Sequence, residues 1–243
     1  MKVLAVDAGN SRIKWGLADE DDWIERGAVA TGDADALESA LAHLTAVDRI
    51  LVTNVAGETA ARAIRQAVGR LGIAAETIVP RAEQCGVKSG YAAPEQLGPD
   101  RWAALIGART LFDGPCVVVN AGTTMTVDAL SGEGVFLGGF IVPGYAVMRG
   151  SLATSTDRLK LQHGAFSFFP DNTGDAIASG ALNALAGAVD RMVRYMVDVG
   201  EGEPLVMLSG GDANLVAPLL SHRVQVVDNL VLEGLRRIGA GDV

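Results

Sequence analysis

Two short segments place a polar side chain, a glycine and hydroxyl residues directly after an apolar run. The first is "LAVDAGNSRIKWG", in which Asp7 ends the apolar run. The second is "VVVNAGTTMTVD", in which Asn120 occupies the corresponding place. Glycine lets the backbone come close to a ligand, and the free N–H groups of such a turn form a concave anion site. The two segments therefore indicate a pair of phosphate-binding turns.

The first turn carries side chains that suit phosphoryl chemistry. Asp7 can hold Mg²⁺ directly or through water. Lys14 can neutralise the charge on a transferred phosphoryl group. A strand followed by Asp, Gly and a turn also occurs in ordinary hairpins, so one such segment alone favours a structural interpretation. Two segments at matching positions favour a nucleotide clamp.

The elements around the two turns repeat in the same order. Apolar runs and alternating segments predict the order βββ-α-β-α-β in the first part of the chain. A helix from about Arg101 to Leu111 is predicted to follow these elements. The second part again predicts βββ-α-β-α, including a long helix over 173–199. This duplication predicts two α/β halves with mixed sheets, residues 1–115 and 116–243, facing each other across a cleft.

Composition narrows the classes of function. The chain has 243 residues and a net charge of -9, which argues against a protein that binds nucleic acid. Its two cysteines, Cys85 and Cys116, have no CxxC spacing and predict reduced thiols in a cytoplasmic protein. No apolar run reaches the roughly 18 residues that would predict a membrane span. The segment "MKVLAVDAG" is typical of a strand and not of a signal peptide.

Other familiar motifs are absent or lack a ligand spacing. The sequence contains no GxxxxGK[ST] and no GxGxxG after a strand. The three histidines, His43, His163 and His222, are scattered without metal spacing and are interpreted as surface or structural residues. Asp128 could contact a metal, but an outward-facing carboxylate on a strand is the favoured interpretation.

The two turns are similar to the two phosphate loops of the superfamily of actin, sugar kinases and heat-shock chaperones. The segment "SGGDA", residues 209–213, resembles the adenosine loop of the same superfamily. The resemblance implies a duplicated ribonuclease-H-like fold, the actin-like ATPase fold, built from two βββαβα halves.

Further segments narrow the resemblance to the type III pantothenate kinase family. "YAAPEQLGPDRWAAL", from Tyr91, resembles its substrate segment, and "GGFIVPG", "FPDNTGDAIASG" and "DNLVLEGL" resemble others. Together these segments extend from Asp7 to the C-terminal helix. The resemblance implies transfer of the γ-phosphoryl group of ATP to the primary hydroxyl of pantothenate. The product, 4'-phosphopantothenate, belongs to the first step of coenzyme A synthesis.

Residue by residue, the resemblance implies roles for the matching positions. Asp100 would be the base that accepts the hydroxyl proton, and Arg101 would offer a fork to the pantothenate carboxylate. The implied substrate-binding residues are Tyr91, Gly98, Pro99, Asp100, Arg101 and Thr173. The implied ATP-binding residues are Asp7, Ala8, Gly9, Asn10, Ser11, Arg12, Ile13, Lys14 and Thr123. Mg²⁺ would accompany ATP at Asp7. Because Thr173 matches a residue that serves the neighbouring subunit, a homodimer is expected.

Asn120 departs from the pattern of the family, which usually has Asp at this position. That Asp helps to bind a monovalent cation, K⁺ or NH₄⁺. An amide can offer a carbonyl oxygen but lacks the charge that makes a cation site strong. A strong dependence on a monovalent cation is therefore not expected here.

Three alternatives remain from the sequence. Asp100 and Arg101 could be a helix cap and a surface arginine. The chain could phosphorylate another small hydroxy acid. It could also be a non-catalytic regulatory protein of the same fold, such as a transcription accessory factor. The acidic charge disfavours contact with DNA, and the presence of Asp7, Asp100 and Thr123 disfavours loss of catalysis.

Overall fold

The structure is a computed structural model that describes residues 1–155 and 163–241. It divides into two compact units. Unit 1 comprises residues 1–113, 134–136 and 229–243, and unit 2 comprises residues 114–133 and 137–228. The predicted boundary between duplicated halves at residue 115 stays a prediction.

Twelve strands and seven α-helices are found in the described residues. The strands are β1 Lys2–Ala8, β2 Arg12–Asp19, β3 Asp22–Ala30, β4 Arg49–Asn54, β5 Ala75–Thr77, β6 Glu83–Gln84, β7 Val87–Ser89, β8 Cys116–Ala121, β9 Thr124–Leu130, β10 Val135–Pro143, β11 Leu205–Ser209 and β12 Val224–Val226. The α-helices are α1 Ala34–Leu41, α2 Glu58–Gly69, α3 Pro99–Leu111, α4 Tyr145–Ser155, α5 Thr173–Asp198, α6 Ala213–Val216 and α7 Leu230–Gly239.

The sheet of unit 1 is mixed, with the strand order β3-β2-β1-β4-β5. β1 pairs antiparallel with β2 and parallel with β4. The central strand β1 is buried along almost its whole length, as expected for an apolar run between two neighbours. A core of apolar side chains from β1, β2, β4, α1 and α2 lies against this sheet.

Unit 2 repeats this arrangement with the strand order β12-β11-β8-β9-β10. β8 pairs antiparallel with β9 and parallel with β11, as β1 does with β2 and β4. Its own core includes side chains of α5 packed on the sheet. The α/β fold with two mixed sheets, predicted from the repeated order of elements, is confirmed.

Some elements differ from their predicted extents. Helix α3 begins at Pro99 and not at Arg101, because proline at the first helical position needs no hydrogen-bond acceptor for its nitrogen. Strands β6 and β7 were not predicted, since runs of two and three residues are too short to show a period. Between residues 1 and 155 and between 163 and 241, no helix has both the length and the hydropathy to cross a membrane.

Helices α3 and α7 of unit 1 cross at two glycines. A Cβ atom added to Gly107 would lie 2.2 Å from the carbonyl oxygen of Leu230. A Cβ atom added to Gly234 would lie 1.8 Å from the carbonyl oxygen of Ala103. Both glycines are therefore required for space, since backbone atoms cannot move aside as a flexible side chain can. The crossing fixes the position of α3, which begins with Pro99 and Asp100.

We expect Gly234→Ala to lower the free energy of unfolding by roughly 1–3 kcal/mol, because the added methyl group forces the two helix backbones apart. Gly187→Ala is the matched control, since Gly187 lies within α5 with nothing near its added Cβ. That variant should be more stable by roughly 0.5–1 kcal/mol. Urea unfolding measures both changes, and equal effects of the two substitutions would contradict the close crossing.

Candidate active site

Asp7 lies at the C-terminal end of β1, where its carboxylate is shielded from water. Its side chain is 7% exposed. β1 and β4 are parallel and in register at Asp7 and Thr53, so that the Thr53 hydroxyl donates a hydrogen bond to Asp7 Oδ1 over 3.0 Å. Thr53 is fully buried. Sequence reasoning missed Thr53, although a hydroxyl residue within the apolar run "RILVTN" was a possible signal.

The turn after Asp7 is short and held by its own backbone. Gly9 N donates to Arg12 O over 3.1 Å, and Thr31 Oγ1 donates to Gly9 O over 2.6 Å. Asn10, Ser11 and Arg12 are exposed, whereas the flanking Ala8 and Ile13 are buried. The predicted ATP-binding residues 7–14 thus form a hairpin with an exposed tip anchored in the core.

Lys14 is the residue of β2 that lies opposite Asp7 in the antiparallel register. Burial raises the pKa of Asp7 to about 6, whereas the charge of Lys14 and the hydrogen bond from Thr53 both act to lower it. The negative charge of Asp100 contributes to the raised pKa. Burial is therefore the main reason that the Asp7 carboxylate binds its proton more tightly than usual.

Asp100 occupies the first turn of α3, directly after Pro99. Its side chain is partly buried, and this burial raises its pKa. The backbone N–H groups of Arg101 and of Asp100 itself, together with the Arg101 charge, act in the opposite direction. A Cβ atom added to Gly98 would lie 2.6 Å from Asp100 Oδ1, so glycine leaves the space that this carboxylate occupies. The sequence "GPD" therefore both starts the helix and orients Asp100.

Arg101 and Tyr91 contact the same aromatic ring, that of Phe136. Arg101 is 7% exposed, and its Cζ atom lies 5.6 Å from the centre of the Phe136 ring. The ring of Tyr91 lies 5.1 Å from that of Phe136. The structure thus brings two predicted substrate residues together through a third residue that sequence reasoning missed.

The second predicted turn lies in unit 2, at the end of β8. Gly122 N donates to Thr124 O over 3.0 Å, and Gly144 N donates to Thr123 O over 2.9 Å. Thr123 is exposed, and Asn120 is partly buried opposite Thr126 of β9. This turn is therefore ordered by its backbone, while its hydroxyl residue at 123 remains accessible to solvent.

The segment 209–213 meets the second turn within unit 2. Ser209 of β11 is in register with Asn120 of β8, and Asp212 N donates to Ala121 O over 3.0 Å. Gly210 has a left-handed φ of 102°, and an added Cβ would lie 2.2 Å from Ala121 O. Only glycine combines this backbone conformation with so close an approach. The two segments of unit 2 that resembled nucleotide loops are thus neighbours.

Thr173 is the first residue of α5 and is exposed. The Asn172 side chain caps this helix by accepting a hydrogen bond from Asp175 N over 2.9 Å. Thr173 borders a largely apolar groove of about 590 Å³ between α4 and α5, together with residues such as Val147 and Ile177. The position is therefore open to a ligand or to another chain.

The described residues contain no cluster of three or more His, Cys, Asp and Glu side chains that could hold a metal ion. A single buried carboxylate nevertheless fits Mg²⁺ in a nucleotide complex, because this ion keeps several waters and takes further ligands from the phosphates. Asp7, which is buried and accepts the hydrogen bond from Thr53, has these properties.

Asp128 differs from its favoured interpretation, since it is 1% exposed and so does not face outward into solvent. The sequence around Asp128 did not indicate which face of the sheet its side chain would occupy. Cys85 and Cys116 form no disulfide; Cys116 is buried and Cys85 is partly exposed.

Comparison with known proteins identifies the family. The sequence profile of type III pantothenate kinase matches residues 3–195. The chain belongs to the type III pantothenate kinase family. A type III pantothenate kinase of Aromatoleum aromaticum is 45% identical over 240 residues, which cover 99% of this chain and 98% of that protein. Another, of Nitrosospira multiformis, is 42% identical over 236 residues, which cover 97% and 90%.

A solved structure extends the likeness beyond the family. The ethanolamine utilization protein EutJ of Carboxydothermus hydrogenoformans superposes with a TM-score of 0.55 at 16% identity, covering 98% of this chain and 89% of that chain. At this identity the match concerns the fold alone. It places the family member described here among the actin-like ATPase folds, as the two phosphate-loop segments predicted.

The raised pKa of Asp7 predicts how stability changes with pH. The ordinary value is 3.8 and the folded value is about 6, so between these values the folded protein keeps a proton that the unfolded chain releases. The free energy of unfolding contributed by this group therefore falls as pH rises through that window.

Asp7→Asn removes this ionisation. We expect the variant to match the wild type near pH 4 and to be more stable by roughly 2–3 kcal/mol at pH 7. Urea unfolding of both proteins at several pH values measures the gap. A gap that stays constant with pH would contradict the account of Asp7.

Proposed function

We propose that this chain transfers the γ-phosphoryl group of ATP to the primary hydroxyl of pantothenate. The product is 4'-phosphopantothenate, and the reaction is the first step of coenzyme A biosynthesis. Membership of the type III pantothenate kinase family supports the reaction. The observation that carries it is the arrangement in unit 1, where Thr53 holds the buried Asp7 and where Asp100, followed by the buried Arg101, begins helix α3.

Asp100 is proposed as the base that accepts the proton of the pantothenate hydroxyl. The transition state of phosphoryl transfer is loose, so the attacking oxygen needs little activation early in the reaction. A carboxylate is sufficient for a proton transferred late. The burial that raises the pKa of Asp100 also makes it a stronger proton acceptor than an exposed carboxylate. The backbone of Gly98 and Pro99 is proposed to line the substrate site.

The first turn is proposed to bind the phosphates of ATP through residues 7–14. Mg²⁺ held at Asp7 would supply positive charge that stabilises the phosphate oxygens. Lys14, opposite Asp7 in the hairpin, adds a second positive charge on the same side of the sheet. Thr123, exposed in the second turn, is proposed as a further contact of ATP.

Tyr91 and Arg101 are proposed to recognise pantothenate itself. The guanidinium group presents paired N–H donors that match a carboxylate. This pairing favours an acid over a neutral sugar, although another small hydroxy acid remains the second candidate substrate.

Thr173 is proposed to complete the substrate site of a partner subunit in a homodimer. In the same unit, Phe168 and Phe169 are 85% and 92% exposed. Exposed aromatic residues and the apolar groove at Thr173 are both features typical of a surface that another chain covers. The homodimer is proposed to work in the cytoplasm, where both cysteines stay reduced.

An assay of ADP release tests the proposal against its rivals. With pantothenate and Mg²⁺-ATP, the proposed function requires ADP and a phosphorylated product of matching amount. A regulatory protein without activity releases no ADP above the background. A kinase for another hydroxy acid releases ADP with that acid and not with pantothenate.

Asp100→Asn keeps the size of the side chain and removes its ability to accept the proton. We expect kcat to fall by roughly 10²–10⁴-fold, because general base catalysis contributes an effect of that size. Binding of pantothenate, measured by calorimetry, should change little. Near-normal turnover by the variant would remove Asp100 from this role.

With Asn120 in the second turn, we expect turnover to depend only weakly on monovalent cations. A neutral amide binds K⁺ or NH₄⁺ less strongly than a carboxylate does. We expect similar turnover in sodium and in potassium buffers at fixed ionic strength. Asn120→Asp should introduce a dependence on potassium, and its rate should fall below that of the wild type when potassium is absent.

Titrations of K⁺ and NH₄⁺ with both proteins measure this difference. A wild-type enzyme that is inactive without potassium would contradict the interpretation of Asn120.

A further inference from the structure

Phe136 lies between the two residues proposed to recognise pantothenate. It is completely buried. Its ring centre lies 5.1 Å from that of Tyr91, with the two planes at 49°. The same ring also contacts Arg101, whose Cζ atom lies 5.6 Å from the ring centre. One buried ring therefore contacts both side chains.

The backbone ties Phe136 to the segment that carries Tyr91. At the start of β10, Val135 and Phe136 pair in parallel with Lys88 and Ser89 of β7. Lys88 N donates to Gly134 O over 2.9 Å, and Tyr91 N donates to Ser89 Oγ over 3.2 Å. The position of Phe136 relative to Tyr91 is thus set by main-chain pairing and one short turn.

A close approach of two glycines fixes this pairing. Gly86 and Gly134 both have left-handed φ values, 76° and 80°. A Cβ atom added to Gly134 would lie 2.2 Å from Gly86 O. The two chains meet here without room for a side chain, so the ring of Phe136 is presented by a rigid backbone.

The contact with Arg101 suits a guanidinium that must also bind an anion. A guanidinium group over an aromatic ring is attracted by the negative face of the ring. This attraction holds the group in place and does not use the N–H donors that a carboxylate needs. The attraction between cation and ring is stronger where water is excluded, and Arg101 is 7% exposed.

We propose that Phe136 is a positioning residue that holds Arg101 for recognition of the substrate carboxylate and so determines preference for an acid over a neutral alcohol. This inference rests on the proposed function. It adds Phe136, which the sequence motifs had not indicated. It assigns this residue to substrate selectivity and not to the chemical step.

The test compares pantothenate with its primary alcohol analogue, in which –CH₂OH replaces the carboxylate. For Phe136→Leu, we expect KM for pantothenate to rise about 3- to 30-fold, the range of a cation–ring contact. The values of kcat and of KM for ATP should stay within about 2-fold, and KM for the alcohol should change equally little. The ratio of kcat/KM for acid over alcohol therefore falls.

Phe140→Leu is the matched control. Phe140 lies on the same strand, and its ring contacts Tyr195 in place of Tyr91 or Arg101. This control should leave the ratio of acid over alcohol as in the wild type. A fall of equal size in the control would assign the effect to general loss of packing and overturn the proposal.

A second series avoids any loss of shape. Phenylalanine with one, two and three ring fluorines at position 136 keeps the side chain nearly unchanged and weakens the negative face of the ring. We expect KM for pantothenate to rise stepwise with fluorine number while KM for the alcohol stays constant. The series also decides the question if Phe136→Leu does not fold.

The outcomes separate the two proposals. A wild-type protein that phosphorylates neither compound contradicts the proposed function. An active wild type whose ratio of acid over alcohol is unchanged by fluorination, or whose KM values for both compounds rise equally, overturns the role of Phe136 and leaves the proposed function standing.

Discussion

Burial of two carboxylates, Asp7 and Asp100, is the constraint on which the candidate site depends. Both side chains lose water, and burial raises the pKa of each. The protein offsets this cost with Lys14 and the Thr53 hydroxyl at Asp7, and with backbone N–H groups at Asp100. A site that binds Mg²⁺-ATP gains from this arrangement, because a positive charge beside a buried carboxylate stabilises its ionised form. The stability that the folded protein loses at neutral pH by burying Asp7 thus favours binding of the ligand.

Rigid backbone contacts hold the members of the site. β1 places Asp7 in register with Thr53 and Lys14. Helix α3 begins at the site, and its close crossing with α7 at Gly107 and Gly234 fixes its position. Small residues here allow backbones to meet, so the orientation of α3 depends little on flexible side chains. The helix over residues 230–239 thus helps to position Asp100 and Arg101, which lie far from it in the sequence.

The sequence predicted the parts of the site that are local. The strand and turn over 4–16 carry their own signal, a buried run that ends in a glycine turn. The helix after "GPD" was also predicted, although it begins at Pro99 and not at about Arg101. Thr53 and Phe136 could not be predicted in this way. Thr53 reaches Asp7 through the register of two parallel strands, and Phe136 reaches Tyr91 through β7, which is too short to show a period. Such contacts depend on tertiary pairing, which no single segment encodes.

The central claim is that Asp100 and Arg101 face opposite ends of one substrate, with the hydroxyl at the carboxylate and the acid at the guanidinium. A crystal structure of the protein with pantothenate and a non-hydrolysable ATP analogue tests it most directly. We expect the reacting hydroxyl oxygen to lie within roughly 2.6–3.2 Å of an Asp100 carboxylate oxygen, and the pantothenate carboxylate to pair with Arg101. Pantothenate bound in the reverse orientation, or with its hydroxyl beside another base, would contradict the account.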